Sequence, residues 1–156
     1  MTRIDLAGGL ETKPGFLNVD RYAVGEGIQA DCLYLPFADC SIEAVNTSHY
    51  LEHLSKYQVV PQLKEVYRVL QWGGAFHIEV PSLEWCCQNW LRWKSNDWNM
   101  DAIYGDQSSN GQYHKTGFTR QIMYGYLGLA GFRGAVVSGE TWSHEQQCLL
   151  FDICKE

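Results

Sequence analysis

The alternation of apolar and polar positions divides the chain into short strands and longer helices. Residues 3–7 and 16–19 are brief apolar runs bounded by turn formers, which predicts two buried strands. Gly8-Gly9 and Leu10-Glu11-Thr12-Lys13-Pro14-Gly15 lie between them. A parallel crossover ordinarily takes about a dozen residues or more and contains a helix, so here the helix is expected to be absent or reduced to one turn. Residues 28–31 predict a short third strand, Leu35-Pro36-Phe37-Ala38-Asp39 a loop, and residues 41–47 a fourth strand. Val59, Leu63, Val66, Tyr67 and Leu70 recur at spacings of three and four, predicting a helix over 58–70 that Gly73-Gly74 closes.

Residues 75–80 alternate apolar with polar as a fifth strand stopped by Pro81, with His77 as a sheet residue. A helix over 82–94 follows, capped by Ser82, with Trp85, Trp90, Trp93 and Trp98 on it or just beyond. Residues 95–117 are polar and glycine-bearing, and read as loop. Thr119 caps a last helix that runs to Ala130 and ends at Gly131. Residues 132–138 and 147–153 complete the pattern as strands, antiparallel because no helix joins them. The result is an α/β sandwich with a mostly parallel sheet.

Composition adds limits to that picture. The 156 residues suit one domain over 1–156 with a single core, and no apolar run approaches the roughly 20 residues of a membrane span. Twelve basic and eighteen acidic side chains leave a formal charge of −6, which disfavours broad nucleic-acid binding. Arg92, Lys94, Lys115, Arg120 and Arg133 read as scattered surface charge. Six cysteines without a C-x-x-C spacing, and no charged-then-apolar leader, lead to the expectation of reduced, mostly buried thiols in a cytoplasmic protein.

The short first crossover bears on the ligand. In dinucleotide-binding folds the pyrophosphate rests on the N-terminus of that helix, where free N–H groups and the helix dipole stabilise its charge. A chain without the helix is poorly built for NAD or FAD. A ligand with adenine and ribose but no phosphate loses much less.

Several segments, taken in order, resemble the class I S-adenosylmethionine-dependent methyltransferases, in particular small predicted members similar to methyltransferase type 11. Lys13-Pro14-Gly15-Phe16-Leu17-Asn18-Val19-Asp20 is similar to their K-x-G-[FY]-x-N-V-D segment. Ala30 to Phe37 resembles the adenine loop, and Ser48-His49-Tyr50-Leu51-Glu52-His53-Leu54 the S-H-x-L-E-H segment after the fourth strand. Glu65 to Gly74 resembles E-x-x-R-V-L-K-P-G-G, and His114-Lys115-Thr116-Gly117-Phe118-Thr119 the lead into the last helix.

The resemblance implies a Rossmann-like three-layer sandwich whose seven-stranded sheet has the order 3-2-1-4-5-7-6, with residues 82–117 as an acceptor-side insertion. It implies S-adenosyl-L-methionine as cofactor and S-adenosylhomocysteine as product. The cofactor would lie against Asp5, Leu6, Ala7, Gly8 and Gly9. Asp20 with Arg21 would take the ribose, Asp31, Cys32 and Leu33 the adenine, and Asn46 to His49, with Ser48 and His49 foremost, the sulfonium side. Ala7 stands where the family's D-x-G-x-G has its first glycine, and Gln71-Trp72 replace Lys-Pro before the glycine pair. Without covering helices ahead of the first strand, the site is expected to be open or covered by a second copy in a homodimer.

Methyl transfer needs alignment of a nucleophile with the sulfonium, plus a base where the acceptor loses a proton. His114, His49 and His53 are the candidates, with His114 favoured by its place in the long loop. The acceptor is expected to be a small molecule or sugar-type compound, with no membrane partner. The tryptophans, with Tyr104 and Tyr113, read equally as a wall for a flat acceptor and as packing, and Cys86-Cys87 as packing. Two other functions fit: a non-catalytic protein that keeps the adenosyl pocket, and a zinc peptidase, because His49-Tyr50-Leu51-Glu52-His53 is formally H-x-x-E-H.

Overall fold

In the computed structural model, which describes residues 2–9, 13–23, 25–93, 97–133, 136–143 and 146–156, strands β1 (Thr2–Leu6), β2 (Leu17–Asp20), β3 (Ile28–Gln29) and β4 (Ile42–Ser48) pair in parallel. Strands β5 (Leu70–Pro81), β6 (Val136–Ser143) and β7 (Gln146–Cys154) complete one sheet of order β3-β2-β1-β4-β5-β7-β6. β5 runs parallel to β4, and β7 runs antiparallel to both β5 and β6, so β7 alone opposes the common direction. The expected topology is therefore present. Among the described residues the connection from β1 to β2 contains no helix.

Helix α1 (Lys56–Val69) starts at Ser55, whose capping box with Gln58 satisfies two first-turn donors. Val59, Leu63 and Val66 are its fully buried stripe, meeting Ile4, Val45 and Phe76 of the sheet and Met123 and Leu127 of α4 (Arg120–Ala130) in one core. Thr119 Oγ1 accepts from Ile122 N at 3.3 Å at the start of α4, and Gly131, with φ 106°, ends it in the left-handed conformation. α2 (Leu83–Trp93) and α3 (Asp97–Tyr104) lie in the insertion between β5 and α4.

Three boundaries differ from the sequence-based expectation. α1 ends at Val69, and Leu70 is already extended, so Gly73-Gly74 do not close the helix. They shape the start of β5 instead: Gly73 has φ +75°, and a Cβ on Gly74 would lie 2.8 Å from the Gln71 carbonyl oxygen and 3.0 Å from that of Glu43. α3 occupies residues expected to be loop; within 97–104, Ala102 is buried and Met100, Asp101 and Tyr104 are exposed, so periodicity was too weak to announce it. β6 starts at Val136 rather than 132, because Phe132 closes α4 by donating its N–H to the Leu127 carbonyl and packs on Tyr67 and Phe76.

Two side chains tie loops to this frame. The Arg68 guanidinium donates to both Glu65 carboxylate oxygens, to Asp39 and to the carbonyls of Phe37 and Leu35, while Glu65 Oε1 accepts from Leu35 N. The E-x-x-R spacing thus clamps the loop after β3. Lys155, only 3% exposed, donates from Nζ to the Tyr67 and Leu70 carbonyls at 2.7 Å each and sits over the Tyr67 ring. It satisfies carbonyls that the end of α1 leaves without helical partners.

Candidate active site

The order of the sheet reverses between β1 and β4, and an open α/β sheet leaves a crevice there beyond the carboxyl ends of its strands. A cleft of about 1260 Å³ occupies that position, lined on one side by Ala7, Gly9, Asp20, Arg21, Asp31, Cys32 and Leu33. Its other side is built from His49, Tyr50, His53 and Leu54 after β4, and from Asp101, Ala102, Asp106, residues 109–112, His114 and Lys115 of the insertion. Its size exceeds the range of about 300–1,000 Å³ usual for a single small ligand.

The loop after β1 is held from below. Asp5, 4% exposed, accepts at Oδ1 from Asn46 Nδ2 and at Oδ2 from Lys13 N, both at 2.7 Å, and Lys13 Nζ donates to Asn46 Oδ1. A Cβ on Gly8 would lie 2.7 Å from Asp5 Oδ2, so only glycine fits over this carboxylate. Asn18 Nδ2 donates to the Gly9 carbonyl at 2.8 Å. Ala7 carries φ 57°, a left-handed conformation that costs an alanine about 1–2 kcal/mol. Ala7→Gly is expected to stabilise the fold by about 0.5–1 kcal/mol after the entropic cost of a new glycine, read as a shift in denaturant midpoint.

Asp20 stands at the end of β2, within the cleft. Its Oδ1 accepts from Tyr22 N at 2.6 Å and its Oδ2 from Gly9 N at 3.3 Å, which fixes the carboxylate while leaving acceptor positions open. Asp31 accepts from Leu33 N through Oδ1 and from Arg21 through Oδ2, and the Arg21 pair is exposed on both sides. Burial pushes the Cys32 thiol up to about 12, so it stays protonated and donates to the Val19 carbonyl.

Opposite these groups stand three histidines. His49 turns the chain after β4 with φ 51°, its Nδ1 3.2 Å from Glu52 Oε1 and its Nε2 3.8 Å from Glu79 Oε1. Burial works against its charge, but the two carboxylates outweigh burial and hold its pKa above the ordinary value. Burial is the main influence on His114 and holds its pKa below the ordinary value. Its Nδ1 donates to the Ala102 carbonyl at 3.1 Å, and His53 Nδ1 donates to the Tyr113 carbonyl at 3.2 Å. The two rings meet edge to face, 4.9 Å between centroids.

The structure thus gathers Ala7, Gly9, Asp20, Arg21, Asp31, Cys32, Leu33, His49, His53 and His114 around one cleft. Asp5, Leu6, Gly8, Asn46, Thr47 and Ser48 lie outside its lining: Leu6 is in the core, Asp5 and Gly8 support the loop, Asn46 and Thr47 are buried on Asp5 and the Leu6 carbonyl, and Ser48 donates to Glu79. Trp85, Trp90, Trp93, Tyr104 and Tyr113 do not line it either, so no aromatic wall forms from them; the side chain of Trp98 lies outside the described residues. Tyr50, Asp101 and Asp106 line it without having been anticipated. Residues 51–53 form a single 3-10 turn after the bend at His49, so the H-x-x-E-H pattern does not present the helical face a zinc peptidase needs.

Comparisons with known proteins agree with this geometry. A family described as "Methyltransferase domain" matches residues 7–78. A curated protein of Encephalitozoon cuniculi (strain GB-M1) that carries a methyltransferase name is 40% identical over 68 residues, a stretch spanning 42% of this chain and 32% of that protein. The chain therefore spans about a third of the length of that relative. Among solved structures, a SAM-dependent methyltransferase from Archaeoglobus fulgidus superposes with TM-score 0.66 at 16% identity, over 99% of this chain and 86% of the other. The 1,6-didemethyltoxoflavin-N1-methyltransferase of Burkholderia thailandensis, solved with its acceptor and S-adenosylhomocysteine, gives TM-score 0.68 at 15% identity, over 99% and 70%. With a methyltransferase-domain match running from the loop after β1 into β5, and the same overall fold in both solved structures, the chain has the Rossmann-like fold of the class I S-adenosylmethionine-dependent methyltransferases.

Proposed function

We propose that the chain transfers the methyl group of S-adenosylmethionine to a small-molecule or sugar-type acceptor. The observation that carries this is the Asp20 carboxylate, fixed by Gly9 N and Tyr22 N in a cleft whose first crossover has no helix among the described residues. A carboxylate suits ribose hydroxyls, and the described residues of that crossover offer no helix N-terminus as a seat for a pyrophosphate. Ala7 and Gly9 would face the methionyl part by backbone, Asp20 and Arg21 the ribose, and Asp31, Cys32 and Leu33 the adenine.

The acceptor would enter from the side of His49, His53 and His114, where its proton also leaves. The acceptor atom then forms a bond to the methyl carbon as the carbon–sulfur bond breaks, its electron pair staying on sulfur to give neutral S-adenosylhomocysteine. Among the described residues no helix is long and apolar enough to cross a membrane, and all six cysteines are free thiols, in keeping with a cytoplasmic setting.

Incubation with methyl-labelled S-adenosylmethionine and a panel of hydroxylated and amino acceptors tests the reading. Labelled product with equimolar S-adenosylhomocysteine is expected. Tight cofactor binding with no transfer to any acceptor class would favour a binding protein instead.

A further inference from the structure

We propose that Glu52, His53 and His114 form a site for a divalent first-row transition-metal ion, open towards the cleft. This deepens the methyltransferase reading and rests on it for the identity of the acceptor side. One ligand atom from each residue lies within 4.8 Å of the other two. Tetrahedral zinc holds nitrogen and oxygen ligands about 3.4 Å apart, so small side-chain rotations close the site.

The carboxylate gives independent support. Glu52 is 1% exposed; its Oε1 lies 3.2 Å from His49 Nδ1, the ion pair that helps to hold that histidine's pKa up, while its buried Oε2 has no hydrogen-bond partner among the described residues. A carboxylate so placed is costly to keep unless a cation joins it. Both imidazoles are oriented as metal ligands usually are, each Nδ1–H held by a main-chain carbonyl so that Nε2 keeps its lone pair. Main-chain bonds bring the two segments together: Lys115 N and Thr116 N donate to the Glu52 carbonyl, and Thr116 Oγ1 to that of Leu54.

The neighbouring group of His49, Glu79 and Cys148 differs, because its members already engage one another and Glu79 also accepts from Ser48. Two imidazoles and one carboxylate leave a coordination position free, and His53 and His114 line the cleft, so that position faces the acceptor. An acceptor hydroxyl bound there would lose its proton to solvent water more readily, as hydroxyls on a cation do, and the resulting oxyanion would take the methyl group.

Titration of chelator-treated protein with Co²⁺, followed by its visible absorption, tests the site, with equilibrium dialysis against Zn²⁺ as a second measure. One equivalent is expected, with at least 100-fold weaker binding in Glu52→Gln and in His114→Ala and unaltered binding in Cys148→Ser. S-adenosylhomocysteine affinity, measured on the same samples, should stay within threefold of the parent in every variant. This verifies folding and separates failure of the metal site from failure of the cofactor reading. Absence of stoichiometric binding, binding that survives both Glu52→Gln and His114→Ala, or a thiolate charge-transfer band lost in Cys148→Ser would overturn the proposal.

Discussion

Asp20→Ala is expected to weaken S-adenosylhomocysteine binding by about 100-fold or more. Two ribose hydroxyls donating to an ionised carboxylate are each worth about 1.5–3 kcal/mol, and about 2.8 kcal/mol already corresponds to a factor of 100. The alanine also releases Gly9 N and Tyr22 N, which now donate to the two carboxylate oxygens and shape the loop around the ligand. Asp20→Asn separates the effects, since it keeps an acceptor for the loop but removes the charge and should fall between the parent and the alanine variant. Unchanged affinity in Asp20→Ala, by calorimetric titration, would place the ribose elsewhere.

Lys155→Met is expected to lower stability by about 2–3 kcal/mol with little effect on ligand affinity at the far end of the sheet. Methionine preserves most of the packing volume over Tyr67 and Trp72 but leaves the Tyr67 and Leu70 carbonyls without the ammonium they bond at 2.7 Å. Each buried carbonyl so abandoned costs about 1–3 kcal/mol, and relief of the lysine's own desolvation offsets part of the sum. For a domain of this size the loss corresponds to a fall in Tm of about 4–12 °C. A change within about 2 °C would show that the two contributions cancel.

Why Asp20 was legible and Lys155 was not follows from the kind of signal each leaves. Asp20 closes a short apolar run after a glycine pair, a local pattern whose strand, loop and acid occur within a few residues. The same holds for α4, where Thr119 and Gly131 mark both ends, and for the sheet order, which the five family-like segments carried together. Lys155 caps a helix more than eighty positions earlier in the chain, and nothing beside it in sequence records that contact.

The histidine side of the cleft is less legible in the sequence for the same reason. His49, Glu52 and His53 stand in helical spacing, but the left-handed bend at His49 and the 3-10 turn over 51–53 prevent a shared helical face. The residue that joins Glu52 and His53 is His114, brought there by main-chain bonds from Lys115 and Thr116 to Glu52. α3 leaves little trace in the sequence because its buried face is thin, and aromatic content says nothing about which way a helix turns, so the tryptophan-rich stretch does not decide between wall and packing. Ala7 was noticed as a departure from the family, yet only its φ of 57° shows that the methyl group strains the backbone as well as narrowing the ligand's approach.

The cleft at the carboxyl ends of β1, β2 and β4 is the proposed seat of the adenosyl cofactor. Isothermal titration of the unmodified chain with S-adenosylhomocysteine tests it most directly. One site per chain is expected, displaced by S-adenosylmethionine and indifferent to NAD. Failure of both adenosyl compounds to bind at millimolar concentration, or preferential binding of NAD, would contradict it.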